Sequence, residues 1–387
     1  MKKIDLVVKF FYPVAAGIET NTLETYSVLT KKGFDITVRT TQSSLTERNI
    51  YKPSEIIRGL NVLRYPFNEY LTNSHVDYKN ADIVALHNFD VLPHLSVMLQ
   101  TLIRKLTGRK RYKLFLTPHG GFTPEWQVFP KYMAIPKWLY HFTLGSFLIN
   151  LTVDGVRAVS EWEKEEIIKH GVLKSKVTTI SNGLEDEAYM DVDKLASVEI
   201  KEKVKNFGKY IIQIGRVYSI KNYETTIKAL AKTQSDLKYI IAGPIGDENY
   251  KKYLDNLIKE LHLESRVTFV GVIRGIDKYY LIKHAQIMVH MAIWESFCNV
   301  VHEGMSQGLP IIAANNTALP YLIKNGINGF CIETKDNEKL AEKINYVMEN
   351  INSLEIRNIK NTNKNIGKDE SWAATAEKMK EFYEKRI

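Results

Sequence analysis

The stretch WESFCNVVHE, residues 294–303, carries two carboxylates eight positions apart, Glu295 and Glu303. A short apolar strand at residues 287–289 comes just before it, and the stretch itself continues as an apolar helix. This order predicts Glu295 on a loop, Glu303 one to two turns down the helix, and the helix N-terminus between them. A helix N-terminus has unpaired N–H groups and the positive end of the helix dipole, so it is suited to binding phosphate.

The composition of this stretch suggests a ligand with both phosphate and hydroxyl groups. Carboxylates accept strong hydrogen bonds from hydroxyls, so an acid on each side of the phosphate site would suit a sugar nucleotide. The backbone amides expected at the phosphate belong to Phe297, Cys298, Asn299 and Val300. The alternative is that the two glutamates are solvent-facing charges on a helix surface. Basic residues about 80 positions upstream favour the nucleotide-sugar interpretation.

Length and cysteine content bound the class of protein. A chain of 387 residues with 44% apolar residues predicts two domains, each with its own core. The two cysteines, Cys298 and Cys331, are too few for a disulfide framework and suit the reducing cytosol. Asp5, Lys9 and Pro13 interrupt the apolar N-terminal run, which predicts a first strand rather than a signal peptide. No apolar stretch reaches the ~20 residues of a membrane span.

The net charge of +9 is concentrated in one region. Residues 101–150 contain eight basic residues against the single acid Glu125: Arg104, Lys105, Arg109, Lys110, Arg111, Lys113, Lys131 and Lys137. Nucleic acid is not favoured as a partner, because no zinc-finger, RRM or helix-turn-helix pattern is present. Two interpretations stay open. The stretch is either a surface attracted to an anionic membrane or an ordinary helix C-terminus that continues into a solvated loop.

Strand and helix patterns alternate through the chain. In the first half they predict a helix over residues 19–32, with Leu23, Tyr26 and Leu29 as its buried stripe, and a second helix over 92–106. The strands predicted there are 4–10, 35–40, 62–65, 82–87, 113–119 and 156–160. In the second half they are 210–214, 238–242, 267–270, 286–290, 310–313 and 329–332. This alternation is typical of parallel sheets covered by helices on both faces.

The charged segment 186–207 lacks a core strand and is predicted as the interdomain region. The first domain is expected over residues 1–190 and the second over 205–370. Two doubly wound α/β domains in tandem are expected to bind a ligand in a central cleft, at the carboxyl ends of both sheets.

Polar residues and glycines follow several predicted strands. Arg216 and Lys221 lie in the loop after the first strand of the second domain, where two cations can neutralise a diphosphate leaving group. Gly243 ends the next strand and permits close backbone approach to a ligand. In the first domain Gly17 follows the first loop, and His119 precedes two glycines, which favours a functional role for it. For His87, also at a strand end, packing is the favoured role.

The order of these motifs resembles retaining GT-B glycosyltransferases of family four, the glycosyl transferases group 1. The resemblance rests on Gly17-Ile18-Glu19, His119-Gly120, Ser181-Asn182-Gly183, Gly215-Arg216 with Lys221-Asn222, Phe269-Val270-Gly271, Glu295-x7-Glu303, Gly308-Leu309-Pro310 and Asn328-Gly329-Phe330. It covers nearly the whole chain, and Glu-x7-Glu followed by Gly-x-Pro is its most specific part.

The resemblance implies a GT-B architecture, with two Rossmann-like domains facing a central cleft. It also implies that a C-terminal helix, residues 371–387, crosses back to complete the first domain. It implies that Arg216 and Lys221 hold the donor diphosphate, that Glu295 contacts the transferred sugar and that Glu303 contacts the ribose. His119 would contact the sugar or the reacting centre. The activity implied is transfer of a sugar from a nucleotide-diphosphate sugar to a glycan or lipid-linked acceptor, in cell-surface polysaccharide or glycoconjugate synthesis.

No cofactor and no metal are expected. Arg216, Lys221 and the helix N-terminus can stabilise the leaving charge, and no paired-aspartate metal motif stands out. The expected location is the cytoplasm, with peripheral attachment to the inner membrane face as an alternative. The chain departs from the family at Ala16, where a second glycine is common, and at Cys298, which replaces a frequent glycine. Two other functions stay open: a nucleotide-sugar epimerase of the same fold, and a non-catalytic subunit that binds nucleotide sugar.

Overall fold

The computed structural model describes residues 1–14, 17–44, 47–48, 50–73, 76–122, 131–233 and 236–387. Contacts between residues divide the chain into two compact units. Unit 1 comprises Met1–Gly183 together with Trp372–Ile387, and unit 2 comprises Leu184–Ser371. The C-terminal helix therefore belongs to unit 1.

The described residues of unit 1 form an eight-stranded sheet. Its strands are β1 (Lys2–Val7), β2 (Phe34–Thr41), β3 (Ser54–Ile57), β4 (Leu60–Tyr65), β5 (Ile83–His87), β6 (Lys113–Thr117), β7 (Gly155–Ala158) and β8 (Val177–Thr179). Its helices are α1 (Gly17–Lys31), α2 (Phe67–Thr72), α3 (Val91–Leu106), α4 (Lys131–Tyr140), α5 (Ser146–Thr152), α6 (Glu161–Lys169) and, at the C-terminus, α16 (Trp372–Glu384). A π-helical segment, His141–Gly145, joins α4 to α5.

The strand order in unit 1 is β3-β4-β2-β1-β5-β6-β7-β8. All neighbouring strands are parallel except the β3–β4 pair at the edge. Side chains alternate between the two faces of β1: Leu6 joins the core under α1 and α16, whereas Val7 joins the core under α3 and α5. The predicted α1 stripe of Leu23, Tyr26 and Leu29 is buried in the first of these cores, as the helical spacing requires.

The described residues of unit 2 form a six-stranded parallel sheet. Its strands are β9 (Tyr210–Ile214), β10 (Lys238–Ala242), β11 (Val267–Gly271), β12 (Ile287–His290), β13 (Ile311–Ala314) and β14 (Gly329–Ile332). Its helices are α7 (Val192–Leu195), α8 (Val198–Phe207), α9 (Tyr223–Leu230), α10 (Glu248–Glu260), α11 (Gly275–Lys283), α12 (Asn299–Ser306), α13 (Leu319–Leu322), α14 (Asn337–Glu349) and α15 (Leu354–Ile366).

The strand order in unit 2 is β11-β10-β9-β12-β13-β14. The chain forms β9, β10 and β11 in one direction across the sheet and then crosses back to place β12 on the other side of β9. The point of the sheet at which the strand order reverses therefore lies between β9 and β12. Ligands of doubly wound sheets bind at the carboxyl ends of strands at this position. The α/β class with two Rossmann-like parallel sheets, predicted from the alternation of elements, is therefore confirmed.

The segment 186–207 does not form the predicted interdomain region. It contains α7 and α8, and its residues Val192, Ile200 and Val204 are buried in the core of unit 2. The charges that suggested a linker lie on the solvent side of these short helices.

Candidate functional site of unit 2 and its relation to known proteins

Two glycines bring the loops after β9 and β10 into direct contact. Gly243 has a φ of 145° and its N–H donates to the carbonyl of Gly271, whereas the N–H of Gly215 donates to Ala242. A Cβ atom added at Gly243 would lie 2.1 Å from the Gly215 carbonyl oxygen. Gly243 was predicted to allow close approach of a ligand. The structure shows a close approach of its own neighbouring loop, which carries Arg216.

We expect Gly243→Ala to destabilise the protein, because the methyl group forces the two loops apart. Gly208 is a matched control, since it also has a positive φ, of 67°, but open space around its Cα. Both substitutions incur backbone strain, and only the first adds a clash. Urea unfolding should show Gly243→Ala to be less stable than Gly208→Ala by about 1–3 kcal/mol. Equal stability of the two variants would contradict this account of the loop.

Lys221 and Glu295 form an ion pair between the β9 and β12 loops. Lys221 Nζ lies 2.5 Å from Glu295 Oε1, and the two side chains are only 22% and 12% exposed. His290 Nε2 lies 2.8 Å from the same oxygen, and the Glu295 N–H donates to Thr317 Oγ1. The sequence predicted Lys221 in an open loop. It is instead held by the acid predicted to bind the sugar.

The charges around Glu295 fix its protonation state. Burial alone would raise its pKa, but Lys221 and His290 outweigh burial and hold the pKa at about 2. Burial lowers the pKa of Lys221, and the Glu295 carboxylate more than offsets this, so that the net shift is upward. Both groups are therefore charged at neutral pH. The site presents a fixed carboxylate and a fixed ammonium beside the carboxyl ends of β9 and β12.

His290, Glu295 and Cys298 are close enough together to be considered as metal ligands, with their ligand atoms within 4.8 Å of one another. The Glu295 oxygen of this cluster already accepts from the Lys221 ammonium. A divalent cation there would have to displace or repel that charge. The cluster is thus better suited to the internal ion pair than to a metal ion.

Arg216 lies in the same loop as Lys221 but is exposed. Its aliphatic portion packs on Gly246, where an added Cβ would lie 2.4 Å from Arg216 Cγ. Its charge is near enough to Lys221 to act against the protonated form of that side chain. Unlike Lys221, Arg216 leaves its guanidinium accessible to an anion.

The predicted phosphate-binding amides lie at the start of α12. Phe297 and Cys298 are buried, whereas Asn299 and Val300, the first residues of the helix, are half-buried. Cys298 precedes α12 with a φ of 77°, a left-handed conformation that a glycine adopts without strain. This conformation explains why a glycine suits the position in the family that the sequence resembles. Cys298 adopts this left-handed backbone conformation even though it carries a side chain.

Glu303 lies on α12 beside a lysine that the sequence did not single out. Lys278 Nζ of α11 is 3.1 Å from Glu303 Oε1 and 2.7 Å from Glu185 Oε2. Burial raises the pKa of Glu303, and the Lys278 ammonium acts in the opposite direction. Glu303 Oε2 is buried and has no hydrogen-bond partner within the described residues. An acceptor in this state is suited to a ligand hydroxyl.

The remaining predicted residues, His119 and Gly17, belong to unit 1. Gly17 begins α1, and an added Cβ there meets nothing within 4 Å, so its conformation imposes no close contact inside the protein. The neighbouring Ala16 lies outside the described residues, as do Glu125 and Trp126, which follow the His119 glycines. His119 follows β6 with a φ of 53° and is 9% exposed.

His119 forms a hydrogen bond with His87, for which packing was the favoured role. His87 Nδ1 lies 2.9 Å from His119 Nε2, and His87 is completely enclosed. The loop that follows His119 is held by Glu163, whose carboxylate accepts from the N–H groups of Gly120 and Val159. Burial raises the pKa of Glu163 to about 7, although both amides act against this shift. The sequence did not predict the hydrogen-bonding role of His87 and did not single out Glu163, because their partners lie 32 and 43 residues away.

Two family models match the chain. The model described as Glycosyl transferases group 1 matches residues 197–365, and Glycosyltransferase Family 4 matches residues 15–188. The boundary between the matches falls close to the boundary between the two units. The first match contains Arg216, Lys221, Glu295 and Glu303, and the second contains Gly17 and His119.

Characterised and uncharacterised relatives agree with these models. An uncharacterised glycosyltransferase of Methanocaldococcus jannaschii is 26% identical over 59% of this chain and 59% of its own length. The chain therefore spans about three fifths of that relative. N-acetyl-alpha-D-glucosaminyl L-malate synthase of Bacillus anthracis is 24% identical over 76% of this chain and 74% of its length.

Among solved structures, that of Anabaena HepE in complex with UDP-glucose has a TM-score of 0.77 to this chain, at 18% identity. The comparison covers 100% of both chains. At this level of identity the likeness establishes a shared fold. The binding of UDP-glucose is an observation on HepE.

Proposed function

The chain belongs to the glycosyltransferase family described by these two models, and we propose that it transfers a sugar from a nucleotide-diphosphate sugar with retention at the anomeric carbon. The observation that carries the proposal is the Lys221–Glu295 pair at the β9–β12 crevice, next to the N-terminus of α12. It provides positive charge for a diphosphate and a carboxylate for sugar hydroxyls within one site.

The first chemical task is departure of the nucleoside diphosphate. Negative charge builds on the leaving oxygen as the glycosidic bond to phosphate breaks, and fixed cations stabilise that charge without reorganising. Arg216 is exposed and Lys221 is already oriented by Glu295, so the two cations can act from different directions. The amides at the start of α12 add a dipolar contribution. This set supplies the electrostatic stabilisation without a metal ion or another cofactor.

Attack by the acceptor on the same face of an oxocarbenium-like centre would retain the anomeric configuration. The departing phosphate is the base we propose for the acceptor proton. Glu295 is unsuitable as that base, since Lys221 and His290 hold its pKa at about 2. Its role is to accept hydrogen bonds from the transferred sugar. Glu303, with its unpartnered Oε2, is assigned to the ribose hydroxyls.

Two other functions make different use of the same site. A nucleotide-sugar epimerase of this fold would form product without an acceptor, and a non-catalytic subunit would bind nucleotide and turn nothing over. The presence of all four charged groups, Arg216, Lys221, Glu295 and Glu303, favours a catalyst over a binding subunit.

The experiment is a screen of nucleotide-diphosphate sugars that differ in base and sugar. Thermal stabilisation identifies the donor, because a ligand that binds only the folded state raises the midpoint of unfolding. Hydrolysis of that donor is then measured without acceptor and with candidate acceptors. Release of free nucleoside diphosphate supports a transferase. Conversion to an isomeric sugar nucleotide identifies an epimerase, and stabilisation without any turnover identifies a binding subunit.

For the acceptor we propose a lipid-linked glycan at a membrane surface, in cell-surface polysaccharide or glycoconjugate synthesis. None of the helices formed by the described residues is long and apolar enough to cross a membrane. Attachment would therefore depend on a surface. The basic stretch 104–113 supplies only part of its charge to solvent, since Arg104 pairs with Asp77 and Lys110 with Asp154. Arg109 and Arg111 are exposed.

Unit 1 also has an exposed apolar stripe. Along α4, the π-helical segment and α5 its side chains recur every two to four residues, and two of them, Tyr132 and Phe147, are 77% and 60% exposed. The full stripe comprises Tyr132, Ile135, Leu139, Phe142, Leu144 and Phe147. Exposed apolar side chains and exposed arginines are both suited to the interface of an anionic bilayer.

We expect the protein to sediment with vesicles of anionic phospholipid and much less with neutral vesicles. Each arginine near the surface adds up to about 1 kcal/mol, and salt weakens this attraction. Arg109→Gln with Arg111→Gln, and separately Tyr132→Ser with Leu139→Ser and Phe147→Ser, should each reduce binding. The matched control replaces three exposed apolar residues that are not part of the stripe, Ile56, Val198 and Leu354, with exposures of 78%, 73% and 69%. Equal binding to both lipids, or equal loss in the control, would contradict the proposal.

A further inference from the structure

Four buried side chains of unit 1 form one continuous chain of hydrogen bonds that ends at His119. Tyr383 Oη of α16 lies 2.6 Å from Tyr26 Oη of α1, which lies 2.8 Å from His87 Nε2. His87 Nδ1 is 2.9 Å from His119 Nε2. Tyr26, His87 and Tyr383 are almost completely enclosed. Only His119 has a ring nitrogen, Nδ1, for which the described residues provide no partner.

Every member of this chain is neutral. Burial lowers the pKa of both His87 and His119 well below the usual range, and the charge of the buried Arg157 acts in the same direction. Burial likewise raises the pKa of Tyr26 and Tyr383. Arg157 itself is held by the Ile180 and Ser181 carbonyls and two asparagine side chains, so its charge is fixed near the histidines.

Neutrality restricts the direction of the hydrogen bonds. A neutral imidazole has one N–H donor and one acceptor nitrogen, so His87 must donate on one side and accept on the other. If it donates to His119, it accepts from Tyr26, and Tyr26 accepts from Tyr383. All internal protons are then hydrogen-bonded, and the proton of His119 lies on Nδ1.

The opposite direction leaves a proton without a partner. His119 Nε2 would donate to His87, His87 to Tyr26, and Tyr26 to Tyr383. The hydroxyl proton of Tyr383 would then need another acceptor in the core, and the described residues offer it none. An unpaired buried donor costs about 1–3 kcal/mol. The first direction of hydrogen bonding is therefore favoured. The side chain that would hold the unpaired proton in the other direction is Tyr383, which is distant from His119 in the sequence.

The backbone around His119 is constrained separately. Ser160 is the N-cap of α6, and its hydroxyl accepts from the Glu163 N–H. The Glu163 carboxylate extends to the N–H of Gly120. At Gly121 an added Cβ would lie 2.9 Å from the Phe89 backbone nitrogen. The ring of His119 is consequently oriented by His87, on a loop that has little freedom to move.

We infer that His87, Tyr26 and Tyr383 are positioning residues that hold His119 as a neutral imidazole with its proton on Nδ1, available for donation to an oxygen of the substrate. This inference rests on the proposed function for the identity of the substrate. It assigns His119 a hydrogen-bond donor role and excludes it as the base for the acceptor proton. The hydroxyl in direct contact with His87 is that of Tyr26, and the chain of hydrogen bonds begins at Tyr383 on the C-terminal helix.

The tautomer can be measured without turnover. Long-range ¹H–¹⁵N spectra of the uniformly labelled protein distinguish the two ring nitrogens, and His119→Gln identifies its signals among the ten histidines. We expect a protonated Nδ1 and an unprotonated Nε2, unchanged between pH 8 and pH 6. A protonated Nε2 in the wild-type protein would overturn the inference. Because the spectra are recorded without a sugar-nucleotide substrate, this result is independent of whether the proposed transfer is observed.

Two single-hydroxyl variants test the direction of the chain. Tyr26→Phe leaves His87 Nε2 unpartnered in either tautomer, so both tautomers of His119 should appear and kcat should fall about tenfold. Tyr383→Phe also removes one phenolic hydroxyl, at the next position of the hydrogen-bonded series. Tyr26 keeps its own hydroxyl in this variant and can still donate to His87. This variant should keep the Nδ1 proton. A single unchanged tautomer in Tyr26→Phe, or a mixture in Tyr383→Phe alone, would contradict the proposed direction.

Discussion

Replacing either Arg216 or Lys221 by alanine should lower turnover by about two orders of magnitude at saturating donor. This is the scale of removing one preorganised electrostatic stabiliser from a developing negative charge. The measurement is the rate of nucleoside diphosphate release with one nucleotide sugar as the donor, at a saturating concentration. Near-wild-type turnover in both variants would contradict the assignment of the two cations to the diphosphate.

The two variants should differ in stability. Arg216 is exposed, so its removal leaves the fold unchanged. Lys221→Ala instead leaves the Glu295 carboxylate, which is 12% exposed, with His290 as its one side-chain partner among the described residues. A largely enclosed charge that loses its compensating partner is destabilising. Lys203→Ala is a suitable control, because it breaks an exposed 2.6 Å pair with Glu199 on α8. That control should lose neither activity nor more than about 1 kcal/mol of stability.

Glu295→Gln and Glu303→Gln should have separable effects. Glu303 is assigned to the ribose, a contact felt equally in the ground state and the transition state, so its replacement should weaken nucleoside diphosphate binding about tenfold. Glu295→Gln should reduce kcat by about a hundredfold with a smaller effect on diphosphate binding, because its partner is the transferred sugar. Calorimetric binding of the diphosphate and steady-state kinetics give the two quantities.

The surroundings of the two acids support this division. Glu303 retains an unpartnered Oε2, and Lys278 keeps Glu185 as a partner when Glu303 becomes neutral. Glu295 has Lys221 and His290 as partners, and it orients the lysine that is assigned to the diphosphate. Loss of diphosphate binding in Glu295→Gln, with normal binding in Glu303→Gln, would mean that the roles are reversed.

Much of the fold could be predicted from local sequence. The strands Tyr210–Ile214, Lys238–Ala242 and Gly329–Ile332 have the predicted bounds, because strands of a parallel sheet covered on both faces are continuous apolar runs. The edge strand β3 was missed: it is antiparallel and mostly exposed, so it has no apolar pattern to detect. The segment 186–207 was assigned to a linker because its charges obscured the few apolar positions that join the core.

The sequence by itself determined which residues follow which strand, and with that the candidate site of Arg216, Lys221, Glu295 and Glu303. It did so because the carboxyl ends of adjacent parallel strands share one edge of a sheet. Only the tertiary structure decided the partners of these residues. Lys221 and Glu295 are 74 positions apart, and Tyr26 and Tyr383 are 357 apart. Protonation and orientation depend on such distant neighbours through burial and short-range hydrogen bonds, and no local pattern in the chain encodes which neighbours those are.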